Sequence, residues 1–232
     1  MVGKASWGNL KKRLIVAGLG IPALVLGLLY VPYFIQIFLI ILGAMIGVEW
    51  TLLYQRHKHH LRFLGALTRS LLHPLVLAYI LLPLFYLLQL TGENVAHVVI
   101  ASLVVVWLTD SGGFFIGKTV GGPLLAPRIS PRKTWSGAIG GLACAVLGGF
   151  FLTSFLPQGE ALLIVCLMSC FGQVGDLVES KFKRMLQVKD SGSFLPGHGG
   201  LFDRFDSFIG AIYGYASYCG AFKWVAGHLL SS

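Results

Sequence analysis

Carboxylates, cationic side chains and glycines are concentrated in one stretch, residues 176–207, with the sequence DLVESKFKRMLQVKDSGSFLPGHGGLFDRFDS. Asp203 and Asp206 lie three residues apart, so they share one face where the last predicted helix begins. Such a pair suits Mg²⁺, which typically takes one or two carboxylates together with phosphate oxygens. The alternative is helix capping, a role that one Asp would fill alone.

Asp176 adds a carboxylate near the end of the preceding predicted helix. Asp176, Ser180 and Lys183 recur at helical spacing and therefore share one face. An unpaired carboxylate within a membrane costs on the order of 2.5–3.5 kcal/mol. Asp176 is therefore a functional candidate, and a buried ion pair with a neighbouring Lys or Arg is the alternative.

The segment between these carboxylates, GSFLPGHGGLF (192–202), is rich in glycine. Gly197, Gly199 and Gly200 allow backbone N–H groups to approach a ligand closely, and His198 could donate to a phosphate. Cationic side chains flank the segment, namely Lys183, Arg184, Lys189 and Arg204. Cations, backbone donors and paired carboxylates are what triphosphate chemistry requires.

A second glycine-rich stretch, SGGFFIGKTVGG (111–122), matches the P-loop pattern from Gly112 to Thr119. A working P-loop follows a strand of an α/β sheet and begins a helix. This match instead follows a long apolar span, and Gly121-Gly122-Pro123 interrupts the chain soon afterwards. We expect no P-loop fold here, although Gly117, Lys118 and Thr119 could still line a nucleotide site.

The elements that must position these residues are apolar helices. The chain has 232 residues, of which 56% are hydrophobic and 12% charged, about half the charged fraction of a soluble domain. We predict an all-α polytopic integral membrane protein with about seven transmembrane helices, at residues 12–30, 33–54, 70–90, 95–116, 136–156, 160–184 and 205–229. Residues 1–94 would hold three helices, and residues 95–232 a catalytic region with cytoplasmic loops at 110–137 and 181–206.

The distribution of Lys and Arg predicts the orientation of these helices. With a cytoplasmic N-terminus, every Lys and Arg except Lys223 faces inward, and the outer loops carry only Glu93 and Glu160. We therefore predict a multi-pass protein of the inner cell membrane with its active site at the cytoplasmic face. The net charge of +9 then suits anionic head groups or a phosphate-rich substrate rather than nucleic acid.

At this point residues 180–207 resemble the signature of the phosphatidate cytidylyltransferases, also called CDP-diacylglycerol synthases. The matching residues, in order, are Ser180, Lys183-Arg184, Lys189-Asp190, the Pro-Gly-His-Gly-Gly run at 196–200 and Asp203-Arg204-x-Asp206. Residues 110–137 resemble the family's second cytoplasmic region, with Ser130, Lys133 and Thr134 in place and Ser136 where Glu is more common. Glu49-Trp50 and residues 175–180 match as well, so the resemblance covers about residues 45–215.

The resemblance implies transfer of the cytidylyl group of CTP to phosphatidic acid, giving CDP-diacylglycerol and pyrophosphate in phospholipid biosynthesis. It implies Mg²⁺, alone or with a second cation such as K⁺, and a homodimer. It also implies a membrane-embedded cleft between the sixth and seventh helices through which phosphatidic acid enters. The implied roles are metal binding by Asp176, Asp203 and Asp206; charge neutralisation by Lys183, Arg184, Lys189 and Arg204; phosphate contact by Gly197, His198, Gly199 and Gly200; and substrate binding by Ser130, Lys133, Thr134 and Ser180.

Other functions remain open on the residues alone. A CTP-dependent enzyme acting on another lipid phosphate or on a polyprenol would need similar groups. A transporter would use Asp110, Asp176 and Glu179 as an ion relay, but a relay should cross the bilayer midplane, whereas these residues cluster at its inner boundary. A lipid-binding homologue without activity is the remaining alternative.

Overall fold

The computed structural model describes residues 27, 33–90, 93–149, 156, 159–192 and 199–230. Six α-helices lie in these ranges: α1 (Phe34–His57), α2 (Ala66–Gln89), α3 (Glu93–Val120), α4 (Trp135–Gly149), α5 (Ala161–Met185) and α6 (Phe202–Leu230). A 3₁₀ helix, Lys58–Phe63, joins α1 to α2. Strands β1 (Leu124–Ala126) and β2 (Ser130–Thr134) form an antiparallel hairpin between α3 and α4. The first predicted helix, residues 12–30, lies outside the described residues except for Gly27.

Within the described residues, four helical segments are long and apolar enough to cross a bilayer, which requires about 20 residues. They are Phe34–Phe63, Ala66–Gln89, Val95–Val120 and Ala161–Met185. Large apolar side chains on their surfaces are exposed, among them Ile40, Leu75, Phe85 and Leu163. The chain is an all-α polytopic membrane protein, as predicted. Within the described ranges, β-strands are confined to the hairpin of β1 and β2. The total of seven spans stays a prediction.

Trp50 joins α1 to three other helices. Its side chain is fully buried, and its Nε1 donates a hydrogen bond to Nδ1 of His73 in α2 at 3.1 Å. Its ring also packs against Phe182 of α5 and Phe202 of α6. The C-terminal half of α1 is thereby held against the end of the bundle where the signature residues lie.

The antiparallel helices α5 and α6 pack closely along much of their length. A Cβ atom at Gly175 would lie 2.6 Å from the Asp206 carbonyl oxygen and 3.0 Å from the Gly210 Cα, so the contact requires glycine. Small residues commonly bring membrane helices together in this way. The expected cleft between the sixth and seventh helices was wrong, because these two helices leave no opening along this contact. The contact instead brings Asp206 beside Asp176.

The predicted loop at 110–137 was also wrong in part, because α3 continues to Val120. Glycine is a poor helix former in isolation, but the glycines within this part of α3, namely Gly112, Gly113 and Gly117, pack against α4. Gly112 approaches Cys144, and Gly117 approaches Thr134 and Gly137. The tertiary contact therefore offsets the low local propensity. The P-loop match lies inside this helix rather than between a strand and a helix, so residues 112–119 do not form a P-loop, as expected.

Candidate active site

The charged side chains meet at one end of the helix bundle. The C-terminal ends of α1, α3 and α5 lie there beside the hairpin and the N-terminal ends of α4 and α6. Contacts across this end join Lys133 of β2 to Asp176 of α5 and Arg184 of α5 to the Ile129 carbonyl. Two groups of polar residues result, one around Asp203 and one around Asp176.

Asp203, in the first turn of α6, accepts hydrogen bonds from three directions. Its donors are the Lys183 ammonium at 2.7 Å, the Ser191 N–H at 3.0 Å and the Gly200 N–H at 3.0 Å. Burial alone would raise the pKa of Asp203. The hydrogen bonds and the positive charge that its partners supply, among them Lys183 and Ser191, lower it by more, so the pKa of Asp203 lies below its ordinary value. Asp203 is thus a carboxylate that anchors two points of the chain before α6, Ser191 and Gly200.

Lys183 lies between two carboxylates. Its Nζ is 2.8 Å from Glu179 Oε2, one turn earlier on α5, and 2.7 Å from Asp203 Oδ1. The Glu179 side chain is fully buried, and Lys183 is only 12% exposed. The ammonium is therefore already neutralised by protein groups. The assignments from sequence omitted Glu179, although its spacing of four residues from Lys183 was a signal for this pair.

Asp176 forms the second group. The Lys133 ammonium pairs with its Oδ2, and the Ser180 hydroxyl donates to its Oδ1 at 3.3 Å. Asp206 of α6, which is buried, interacts electrostatically with Asp176, Asp110 and Lys133. This group thus brings three carboxylates near one lysine. The alternative expected from the sequence, an ion pair between Asp176 and a neighbouring Lys or Arg, is therefore present.

The predicted set of Asp176, Asp203 and Asp206 does not converge on one point. Within the described residues, no group of three or more His, Cys, Asp or Glu side chains is arranged to hold a metal ion. Asp203 is occupied by Lys183 and two backbone amides, so its assignment as a metal ligand with the other two is not supported. Asp176 and Asp206 remain neighbours, and Mg²⁺ typically needs only one or two carboxylates when phosphate oxygens complete its shell. The donor types of this pair therefore fit that ion.

The remaining predicted cations lie at the surface. The Arg184 side chain is exposed and donates to the Ile129 carbonyl at 3.4 Å and the Val188 carbonyl at 3.0 Å. Arg184 thereby ties the hairpin turn to the C-terminal end of α5. Lys189 and Arg204 are exposed on the two sides of the signature segment.

The predicted hydroxyl and glycine residues have structural contacts. Thr134 precedes α4, and its Oγ1 accepts the Gly137 N–H at 3.1 Å, which caps this helix. Ser130 pairs with Ala126 in the hairpin. Gly199 has a φ of +82°, which favours glycine. Gly197 and His198 lie outside the described residues.

A cavity of about 570 Å³ opens beside the Asp176 group. Its walls come from the C-terminal half of α3, the hairpin, the start of α4 and α5. Polar lining residues are Thr109, Asp110, Lys118, Arg132, Lys133, Thr134 and Gln173, with Phe114 and Leu125 among the apolar ones. Gly117 and Lys118 of the P-loop match line this cavity, whereas Thr119 does not, and a nucleotide site there stays a prediction. Cationic and apolar walls together suit a substrate that is part phosphate and part hydrocarbon or base.

Glu49 is a second residue omitted by the assignments from sequence. It lies on α1 and is only 4% exposed. It accepts hydrogen bonds from the Ser191 hydroxyl, the Leu201 N–H and the Phe202 N–H. Its partners are more than 140 positions away in sequence, so the only sequence signal was the Glu49-Trp50 match.

The family model and the relatives that this chain matches all have cytidylyltransferase names. A model of the cytidylyltransferase family matches residues 68–222. The phosphatidate cytidylyltransferase of Staphylococcus saprophyticus is 44% identical over 137 residues, or 57% of this chain and 52% of that protein. The proteins of the same name from Brucella suis and Staphylococcus haemolyticus are 52% identical over 110 residues and 48% identical over 123 residues. These matches cover 46% and 51% of this chain and 41% and 47% of those proteins.

The chain spans about half the length of these relatives. The family match nevertheless extends over well more than half of the chain itself, and it contains both groups of polar residues and the cavity walls. The resemblance drawn from residues 180–207 is confirmed. This chain belongs to the cytidylyltransferase family.

Proposed function

We propose that the protein transfers the cytidylyl group of CTP to phosphatidic acid, giving CDP-diacylglycerol and pyrophosphate. The observation that carries the proposal is the position of Asp176, Lys133 and Asp206 beside a half-polar cavity at the end of a membrane-helix bundle. The chain is also similar to relatives named phosphatidate cytidylyltransferase. A membrane scaffold suits a substrate with two acyl chains, since exposing each CH₂ to water costs about 0.8 kcal/mol.

In the proposed reaction a phosphate oxygen of the lipid attacks the α-phosphorus of CTP. A new P–O bond forms as the bond between the α-phosphorus and the bridging oxygen breaks, and pyrophosphate departs with that electron pair. The nucleophile is already an anion, so positioning and charge neutralisation should supply most of the acceleration. Lys118, Arg132 and Lys133 line the cavity and would bind phosphate oxygens there.

Magnesium belongs to this proposal as the cofactor. Asp176 and Asp206 would hold it, and bound Mg²⁺ would offset negative charge on the triphosphate. A second cation such as K⁺ and a homodimer remain parts of the family expectation. Lys183 does not neutralise the triphosphate in this proposal; its ammonium stabilises the Asp203 carboxylate instead. The orientation predicted from Lys and Arg places this end of the bundle at the cytoplasmic face of the inner membrane.

The test is product analysis with the purified full-length chain in detergent. CTP is supplied with phosphatidic acid, with a polyprenol or with no lipid, and pyrophosphate and CDP are both measured, with and without Mg²⁺. A cytidylyltransferase releases pyrophosphate only with the lipid phosphate, whereas a CTP-dependent polyprenol kinase would release CDP. We expect pyrophosphate release that requires both phosphatidic acid and Mg²⁺.

Asp176→Asn is the matched variant, and Glu160→Gln at the opposite end of α5 is its control. We expect Asp176→Asn to lower pyrophosphate release about 100-fold, because it removes charge at the reacting groups. Glu160→Gln should retain wild-type release. Release of CDP with a polyprenol, or no pyrophosphate from a folded protein with phosphatidic acid, would contradict the proposal.

A further inference from the structure

Glu49 makes three hydrogen bonds from a buried position on α1. Its Oε1 accepts from the Ser191 hydroxyl and from the Phe202 N–H at 3.2 Å, and its Oε2 accepts from the Leu201 N–H at 2.7 Å. Both oxygens are therefore occupied by the signature segment. The two amides belong to the start of α6, where backbone N–H groups have no partner within the helix.

The segments held by Glu49 are the same two that Asp203 holds. Ser191 donates its hydroxyl to Glu49 and its N–H to Asp203. Gly200 donates its N–H to Asp203, and the next two amides donate to Glu49. The two carboxylates thus hold residues on either side of the glycine-rich stretch, one from α1 and one from α6.

The packing around Glu49 leaves little freedom. A Cβ at Gly200 would lie 2.2 Å from Glu49 Oε1 and 1.9 Å from the Ser191 Oγ, so no larger residue fits. Trp50, the next residue of α1, is fully buried against Phe182 and Phe202. Movement of Glu49 would therefore displace Ser191 and Gly200, whose N–H groups donate to Asp203. Asp203 would then shift as well, together with its partner Lys183.

We infer that Glu49 is a positioning residue for the reaction, because it fixes the chain at Leu201 and Phe202, where α6, the helix that carries Asp206, begins. This inference rests on the proposed function for its kinetic consequence. Glu49 is not one of the residues that line the cavity beside Asp176. Its loss should therefore lower the rate of the chemical step and leave phosphatidic acid binding unchanged.

The experiment compares Glu49→Ala and Glu49→Gln with wild type, with Glu160→Gln as the control, in the pyrophosphate assay. A small displacement of reacting groups can cost about 100-fold in rate, and we expect that loss in kcat for Glu49→Ala. The KM for phosphatidic acid should stay within about twofold. The Gln side chain keeps one acceptor, so Glu49→Gln should recover part of the rate.

Hydrogen exchange measured on the same proteins separates positioning from unfolding. In Glu49→Ala, peptides containing Ser191 and residues 201–202 should exchange faster, and a peptide from residues 95–116 should not change. Ser191→Ala, which removes one of the three donors, should show a smaller effect in the same direction. This pattern together with reduced kcat and retained KM would support the inference.

Three results would overturn it. Wild-type kcat in Glu49→Ala would show that the contact has no kinetic role. Faster exchange throughout the protein, with activity falling in proportion to the folded fraction, would show a structural role only. Inactive wild-type protein would overturn the proposed reaction and this inference with it. This result differs from the first two results because every variant would then be equally inactive.

Discussion

Lys183 shows how one residue changes meaning between sequence and structure. Its place beside Arg184 in a basic stretch suggested a free cation for phosphate binding. In the structure it is nearly buried between Glu179 and Asp203. A buried cation between two carboxylates offsets their repulsion, so its first effect is on the arrangement of α5 against α6.

Lys183→Met should therefore destabilise the protein. It leaves Glu179 and Asp203 buried without their cation, and breaking a buried pair by removing one partner typically costs about 3–5 kcal/mol. Thermal unfolding in detergent should show a lower midpoint, while Lys181→Met, at an exposed position of the same helix, should not.

A double variant tests the cause. Lys183→Met with Glu179→Gln removes one of the two stranded charges, so it should be more stable than Lys183→Met alone. If the single variant unfolds at the wild-type temperature, or if the double variant is less stable than the single one, charge pairing is not what Lys183 contributes.

At the scale of elements, the close contact of α5 with α6 determines which carboxylates meet. Gly175 of α5 allows the Asp206 backbone to approach, and Asp176 is the next residue. The close packing of α3 against α4 similarly extends α3 past Asp110 and shapes the cavity wall. Both contacts are made by glycines, so each can be altered without replacing a charged side chain.

Gly175→Ala should separate α5 from α6 locally. The added Cβ would lie 2.6 Å from the Asp206 carbonyl oxygen, and overpacking of this kind costs about 1–3 kcal/mol. Pyrophosphate release should fall as well, because Asp206 moves relative to Asp176. Gly47→Ala in α1 is the control, since its Cβ would meet Leu77 at an ordinary 3.7 Å. Equal unfolding midpoints for the two variants would argue against the packing explanation.

At the scale of the whole molecule, the helix bundle gathers its charged residues at one end. Contacts from α1, the hairpin, α5 and α6 converge there. Glu160, at the start of α5, lies at the other end of that helix. From the positive-inside rule we propose that the charged end faces the cytoplasm.

Labelling of single cysteines tests this orientation. In a background with Cys144, Cys166, Cys170 and Cys219 replaced by Ala, Arg128→Cys and Lys189→Cys should react with a membrane-impermeant maleimide only after the membrane is opened. Glu160→Cys should react in intact cells. Reaction of all three from one side would contradict the proposed topology, and reversed accessibility would invert it.

Much of the architecture was predictable because it depends on local properties. Apolar runs of about 20 residues indicate membrane helices wherever they occur, and four described spans match the predicted ones. The family was likewise predictable, because its signature is a contiguous stretch. The loop at 110–137 was not, because the end of α3 depends on contact with α4 rather than on its own glycine-rich sequence.

The sequence by itself determined the class of protein, the family and the inventory of residues available for chemistry, since hydrophobicity, spacing and residue type are properties of the chain. Only the tertiary structure decided which carboxylate each cation meets. It gave Asp203 the Lys183 ammonium and two backbone amides as partners, paired Lys183 with Glu179 and brought Glu49 to residues 191–202. Such pairings depend on how distant helices pack, and the spacing of residues along the chain contains no distance between them.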